Sequence, residues 1–321
     1  MNNIKHLKVA AVQMICAQGA VDKNLAYAET LVQQAVDKGA ELVLLPELMP
    51  SGYLVTEEIW DYAEKMDGKS VQWLKAQARK HSIYLGFSFL EAEGEHFYNA
   101  FVLATPQGEI AGRVRKTPPA SIEAHFYTAG NEPHVIETDI GRFGVSICYE
   151  NLLYDRICEL AELDVDLVLS PSAAGGSKVL FSGDLKRTGD MLKRGRKLYS
   201  DVLGVPNVMT NRTGILDTDL PAGLPHLKGK FLGLSMIADA DGKVLAAFGE
   251  DDEGVLVVEI ELNPEKKKKV VPKKFGRMWA FRMPWFAFIW PITQKMGEKA
   301  YQNNPRRAGK AKQISGVDEG R

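Results

Sequence analysis

Four side chains have the types and settings for nucleophilic attack on an electrophilic carbon: Cys148, Glu47, Lys116 and Glu123. Cys148 lies in Gly141-Arg142-Phe143-Gly144-Val145-Ser146-Ile147-Cys148-Tyr149-Glu150-Asn151. There a β-branched run gives way to a segment, Asn151 to Leu160, whose apolar positions recur at helical spacing. A thiol at such a strand-to-helix turn is held up and exposed. The N–H groups that follow lie at a helix start, where they lower a thiol pKa and stabilise an oxyanion. A thiol also needs a base and a charge stabiliser. Glu47 closes the apolar run Leu42-Val43-Leu44-Leu45-Pro46; burial there raises a carboxyl pKa and makes it a usable general base. Lys116 follows Gly112-Arg113-Val114-Arg115 and so sets a cation at a strand end. Glu123 comes seven residues later, in a loop stiffened by Pro118 and Pro119 that can return it toward Lys116. Taken singly, each has a plainer reading: a packed cysteine, a loop glutamate, a solvated lysine and an exposed ion pair of little worth. Their combination is the signal.

The elements that would position these groups read as follows. Lys8 to Met14 is an opening strand, and Asp22 is expected to cap a helix through Leu25, Leu31 and Val36 that stops at Gly39. Glu41 to Leu45 is a continuous apolar strand leading to Glu47. A helix around Val71, Leu74 and Ala78 precedes strands at Ile83 to Leu90, Tyr98 to Ala104 and Gly108 to Lys116. Beyond Cys148 come the strand Asp166 to Leu169, the small-residue loop Ser170 to Gly176, a basic helix from Leu185 to Leu203 and a strand at Asn207 to Asn211. Asp241-Gly242 turns the hairpin Leu234 to Ala238 and Val244 to Phe248, and Val255 to Ile260 closes the body. Helices and strands alternate early and hairpins interrupt later, which favours an α/β sandwich with outer helices over a doubly wound nucleotide fold. There is no GxGxxG, no GxxxxGK[ST] and no internal repeat.

The chain has 321 residues, 45% of them apolar, enough for one large core or two small ones. Cys16, Cys148 and Cys158 are odd in number and lack zinc-site spacing; Cys16 and Cys158 read as packing thiols. No metal and no organic cofactor is expected. The start of the chain lacks the layout of a signal peptide and no run spans a bilayer, so a reducing cytoplasm is expected. The net charge of −1 hides an asymmetry: residues 1–265 sum to −13 and residues 266–321 to +12. An acidic body with a basic tail suggests a separate job for the tail.

The combination of Leu44-Leu45-Pro46-Glu47, Arg115-Lys116 and Ser146-Ile147-Cys148-Tyr149-Glu150 resembles the nitrilase, or carbon–nitrogen hydrolase, superfamily. Pro206 to Gly214, ending in Asn211-Arg212-Thr213-Gly214, and Gly233-Leu234-Ser235 are similar to later motifs of that family. The resemblance covers roughly residues 7–262. Where many members carry Ala-x-Glu-Asn, this chain has Ser200-Asp201-Val202-Leu203-Gly204, so no branch-specific substrate or assembly carries over. The resemblance implies an α-β-β-α sandwich forming four layers, with a carbon–nitrogen hydrolase domain at 1–265 and a basic, aromatic-rich extension at 266–321. It implies Glu47, Lys116 and Cys148 as catalytic residues, joined by Glu123 as a second active-site glutamate, and a homodimer or higher homo-oligomer. The expected reaction is hydrolysis of a linear amide through a Cys148 thioester. N-acyl transfer to an amine, a nitrilase and a non-catalytic binding protein are the alternatives. Cys148-Tyr149-Glu150 differs from the Cys-Trp-Glu of genuine nitrilases, which favours a small-molecule amide.

Tyr53, Tyr149, Glu150, Ser172 and Ala173 are expected to contact substrate, although Glu150 has the plainer reading of complementing a helix dipole. His125 is a weaker candidate for the pocket wall. In the extension, Lys266 to Lys269 precede an aromatic run that holds Trp279, Trp285 and Trp290 among basic residues. It reads either as a packing surface for a second subunit or as an anchor, over residues 266–291, on an anionic membrane at the inner face of the cell membrane. Nucleic acid is not an expected partner.

Overall fold

Alternate residues of the first strand bury in opposite directions, and this fixes the layering. A computed structural model describes residues 4–177, 183–279 and 289–317. The first half holds β1 (Lys5–Gln13), α1 (Val21–Asp37), β2 (Leu42–Leu44), α2 (Lys69–His81), β3 (Tyr84–Glu93), β4 (His96–Ala104), β5 (Ile110–Arg115), β6 (Val135–Glu137) and β7 (Arg142–Val145). Then come α3 (Tyr154–Glu162), β8 (Leu167–Ser172), β9 (Gly175–Gly176), α4 (Asp184–Leu203), β10 (Asn207–Asn211), β11 (Thr213–Thr218), β12 (Leu227–Leu232), β13 (Met236–Ala238), β14 (Val244–Ala247) and β15 (Gly254–Leu262). Helices α5 (Trp290–Asn303) and α6 (Pro305–Ser315) end the chain.

Two six-stranded sheets, β15-β1-β2-β3-β4-β5 and β14-β13-β10-β8-β7-β6, pack face to face. From β1, Val9 and Ala11 point into the inter-sheet core with Phe101, Leu103, Val145, Leu169 and Val208. Ala10 and Val12 point the other way, against Leu25, Leu31 and Val32 of α1 and Val71 and Leu74 of α2. On the far side, Ile157 and Leu160 of α3 and Tyr199 and Val202 of α4 cover Val168. The α-β-β-α sandwich is therefore present as expected, with parallel strands at the centre of both sheets (β1, β2, β3 and β7, β8, β10) and antiparallel strands outside.

The structure corrects several local readings. Asp22 is not the cap of α1, whose N-cap residue is Ala20; Asp22 sits in the first turn and pairs with Lys69. Buried Asn24 ties that turn down, bonding Ala17 N and O and Pro50 O at 2.7–2.8 Å. A third, three-stranded sheet, β11-β12-β9, was not expected. Its close approach needs glycine: a Cβ on Gly229 would lie 2.0 Å from Gly176 O.

The extension lies on the body of its own chain. Lys268 N–H donates to Leu203 O and Val270 N–H to Val202 O, laying the lysine run along the end of α4. Trp279 buries beside Tyr199 and donates from Nε1 to Asn151 O at 2.7 Å. Helix α5 packs on the turn Ser121–His125, and the Tyr301 hydroxyl oxygen accepts Phe97 N–H at 2.9 Å. Basic residues meet the acidic body directly: Lys266 with Asp241, Lys267 with Asp166, Arg306 with Glu57, Lys310 with Asp61 and Lys312 with Glu95. Much of the opposed charge of body and tail is thus complementary within one chain. Residues 280–288 of the expected membrane-contact segment, Trp285 among them, lie outside the described residues. Among the described residues no helix is long and apolar enough to cross a membrane.

Phe101 is fully buried between the sheets. Phe101→Ala is expected to lower the unfolding free energy by about 3–5 kcal/mol, measured by chemical denaturation.

Candidate active site

Four chain segments meet at one end of the sandwich, each leaving the end of a strand. Two residues after β2, Pro46 turns the chain and Glu47 follows, fully buried. Lys116 comes directly after β5 and is likewise fully buried, its N–H bonded to Asn99 O of β4. The Lys116 ammonium donates to Glu47 Oε1 and to Glu123 Oε2, both at 2.7 Å. Glu123 stands in the turn Ser121–His125, where Oε2 also accepts the Ala120 N–H and Oε1 accepts the Tyr53 hydroxyl, both at 2.7 Å. Asn99 completes the set by donating from Nδ2 to Glu47 Oε1 at 2.8 Å.

Cys148 follows β7 at the head of the turn Cys148–Leu152. Its φ of 52° is left-handed, which costs a non-glycine residue energy and marks a sharp elbow. Asn151 holds that elbow, donating from Nδ2 to Ser146 O at 3.1 Å and Cys148 O at 2.8 Å. Asn151 Oδ1 in turn accepts Ser170 Oγ–H and the Tyr199 hydroxyl.

Electrostatics of the cluster follow from burial and pairing. Burial pushes the Glu47 carboxyl above its usual range, opposed by the Lys116 charge; Glu123 adds to the rise, and the Cys148 thiol favours the anion. The second Glu47 oxygen, Oε2, is buried without a well-formed hydrogen bond among the described residues. Burial also raises the Cys148 thiol well above its ordinary value, reinforced by Glu47, while Lys116 and the Ala173 backbone N–H pull it back. Burial alone would lower the Lys116 pKa, but Glu123 and Glu47 more than offset it and hold the ammonium charged. The surroundings therefore favour the charged form of Lys116 and the neutral form of the Cys148 thiol.

Tyr53, Tyr149, Ser172 and Ala173 line a cavity of about 280 Å³ that also exposes Cys148 and Glu123. Glu150 does not line it. Fully buried, Glu150 accepts Thr117 N–H at 2.6 Å, His134 Nε2 at 2.8 Å and Arg156 at 3.2 Å on Oε1, and Ile147 N–H at 2.6 Å on Oε2. Burial would raise its pKa, yet His134, Arg156 and the Thr117 N–H overcome that and lower it. The expected substrate contact of Glu150 is corrected to a clamp joining the segment after Lys116 to the one before Cys148. His125 is also off the cavity, with Nδ1 on Ile122 O at 3.0 Å. Asn99 and Asn151 were not anticipated, since an asparagine inside a strand or a turn carries no distinctive spacing. For Glu150 the sequence did hold a signal. A glutamate three residues into a turn reaches back to a backbone N–H, and both Glu123 and Glu150 do so here.

A family model described as carbon–nitrogen hydrolase matches residues 8–267. The chain belongs to the carbon–nitrogen hydrolase family. It is 30% identical to a nitrilase of Pyrococcus abyssi, over 82% of this chain and 93% of that one. It is 27% identical to an N-carbamoylputrescine amidase of Solanum lycopersicum, over 81% and 88% of the two chains. The crystal structure of a carbon–nitrogen hydrolase from Helicobacter pylori G27 shares the fold, with a TM-score of 0.74 at 24% identity over 80% and 90% of the chains. This chain is thus a carbon–nitrogen hydrolase. Helices α5 and α6 lie beyond the matched residues. Among the described residues no cluster of three or more histidine, cysteine, aspartate or glutamate side chains can hold a metal ion.

Glu150→Ala leaves His134 and Arg156 facing an empty buried site. It is expected to cost about 3–5 kcal/mol in denaturant unfolding, since removing one partner of a buried charge cluster strands the others.

Proposed function

We propose that this chain is an amidase that hydrolyses a small-molecule amide through a thioester on Cys148. The observation that carries this reading is the buried Lys116 ammonium shared by Glu47 and Glu123, beside a thiol on a strained elbow. Glu47 takes the Cys148 proton, and the thiolate attacks the amide carbon, pushing the carbonyl electrons onto oxygen. An ammonium has three N–H donors, and two of those on Lys116 serve the carboxylates; the third, with the Tyr149 backbone N–H, supports the oxyanion. As the oxyanion collapses, the C–N bond breaks and Glu47 passes its proton to the leaving amine. Water then gives a proton to Glu47 and attacks the thioester, releasing the acid and the thiolate, which recovers the proton. The sum is amide plus water to acid plus amine. Glu123 orients Lys116, and Tyr53 orients Glu123.

The name of the Solanum lycopersicum relative supports amides, and that of the Pyrococcus abyssi relative supports nitriles. A nitrile would take the same thiolate attack, with Glu47 returning the proton to nitrogen to give a thioimidate; one water would then add and ammonia leave to form the same thioester, which a second water hydrolyses. Intact-mass spectrometry of the chain mixed with simple amides and nitriles tests the reading. It is expected to show an acyl adduct confined to Cys148, and Cys148→Ala is expected to lose the adduct and about 10³-fold or more of the turnover while keeping its circular dichroism. Turnover retained by Cys148→Ala would contradict the assignment.

A further inference from the structure

The cavity beside Cys148 is lined mainly by apolar side chains, with uncharged polar ones such as Ser172, Thr188 and Asn207 among them. Leu152, Met191, Leu192, Met209, Leu216 and Leu227 form its sides. Among the described lining residues Glu123 is the one acidic or basic side chain, and its oxygens are taken by Lys116, Tyr53 and the Ala120 N–H. A substrate carrying an ammonium or a carboxylate into this space would find no free opposite charge among the described lining residues, and burying an unpaired charge is strongly unfavourable. An uncharged chain would gain from every methylene removed from water.

One wall comes from outside the family-matched residues. Trp290, at the start of α5, meets Tyr149 edge to face with ring centroids 4.8 Å apart, and it packs with Leu152 and Met191. Thr293, one turn later, is hydrogen-bonded through Oγ1 to Ser121 Oγ at 2.7 Å, which ties α5 to the turn that carries Glu123. Trp290 and Thr293 both line the cavity. The C-terminal extension therefore helps to shape the substrate site.

We propose that this site takes an uncharged amide with an apolar acyl chain, and that the chain lies against Trp290 of the extension. The inference rests on the amidase reading, with Cys148 as the acylated residue. The acyl group, once on the sulfur, would occupy the space between Tyr149, Leu192 and Trp290.

The test is the rate of Cys148 acylation in the full chain with acetamide, butanamide and hexanamide, and with the charged analogues 4-aminobutanamide and succinamate. The expected rise is roughly fourfold per added methylene, with both charged analogues at least about tenfold slower than butanamide. Trp290→Ala is expected to reduce the hexanamide-to-acetamide ratio by about tenfold. Leu227→Asp, on a different element, gives a second reduction should the first variant fail to fold. Equal rates along the series, a faster charged analogue, or a ratio untouched in folded Trp290→Ala would overturn the chain-binding inference while leaving the amidase reading intact. Acylation by none of these amides would overturn both.

Discussion

A single buried cation holds the site together. Lys116 is shut off from water and survives as an ammonium because Glu47 and Glu123 each accept one of its protons at 2.7 Å. The three groups carry a net charge of −1 when both carboxylates are ionised. Burial first, and then the negative charge of Glu47 and Glu123, push the Cys148 thiol upward. Moving the thiol proton onto Glu47 leaves the total unchanged. In the mechanism proposed here the thiolate is made by transfer to Glu47, and Lys116 meets the charge that then appears on substrate oxygen.

The surrounding fold keeps those few ångströms fixed. Glu150 binds Thr117 N–H, next to Lys116, and Ile147 N–H, next to Cys148, so one carboxylate sets the spacing of two reacting segments. Behind Lys116, Arg115 pairs with buried Glu91 at 2.7 Å and stacks 3.8 Å from the Tyr98 ring, anchoring the end of β5. Asn151 braces the elbow from within its own turn, and Tyr199 of α4 donates to Asn151. The extension adds α5 against the Glu123 turn, with Gly297 in close contact: a Cβ there would lie 2.9 Å from His125 N. The tail's opposite charge helps it to dock on the acidic body, and in docking it brings Trp290 to the cavity.

Most of the cluster was legible because Glu47 and Cys148 each close an apolar run at a strand end, and Lys116 ends the strand through Val114. Glu123 was legible through the prolines before it. Glu150 was read as a substrate contact from its place next to Tyr149, although its spacing three residues into a turn pointed it back to Ile147 N–H, where His134 and Arg156 also meet it. The third sheet escaped notice since β9 has two residues, both glycine, and β11 and β12 mix glycine with charged residues. Helices α5 and α6 were hidden by the Lys-rich and aromatic composition before them, which reads as a packing surface or a membrane anchor; the acidic partners of α6, Glu57, Asp61 and Glu95, lie far off in the sequence.

The most direct test of proton sharing between Glu47 and Cys148 is the pH dependence of Cys148 alkylation by an uncharged reagent, in the wild type and in Glu47→Gln. The wild type is expected to lose reactivity as pH falls through a Glu47 pKa raised above the ordinary carboxyl value of 4.5, because the base is then protonated. Glu47→Gln is expected to lack that acid limb and to react about 10²–10⁴-fold more slowly near neutral pH. Superimposable profiles for the two proteins would contradict the account.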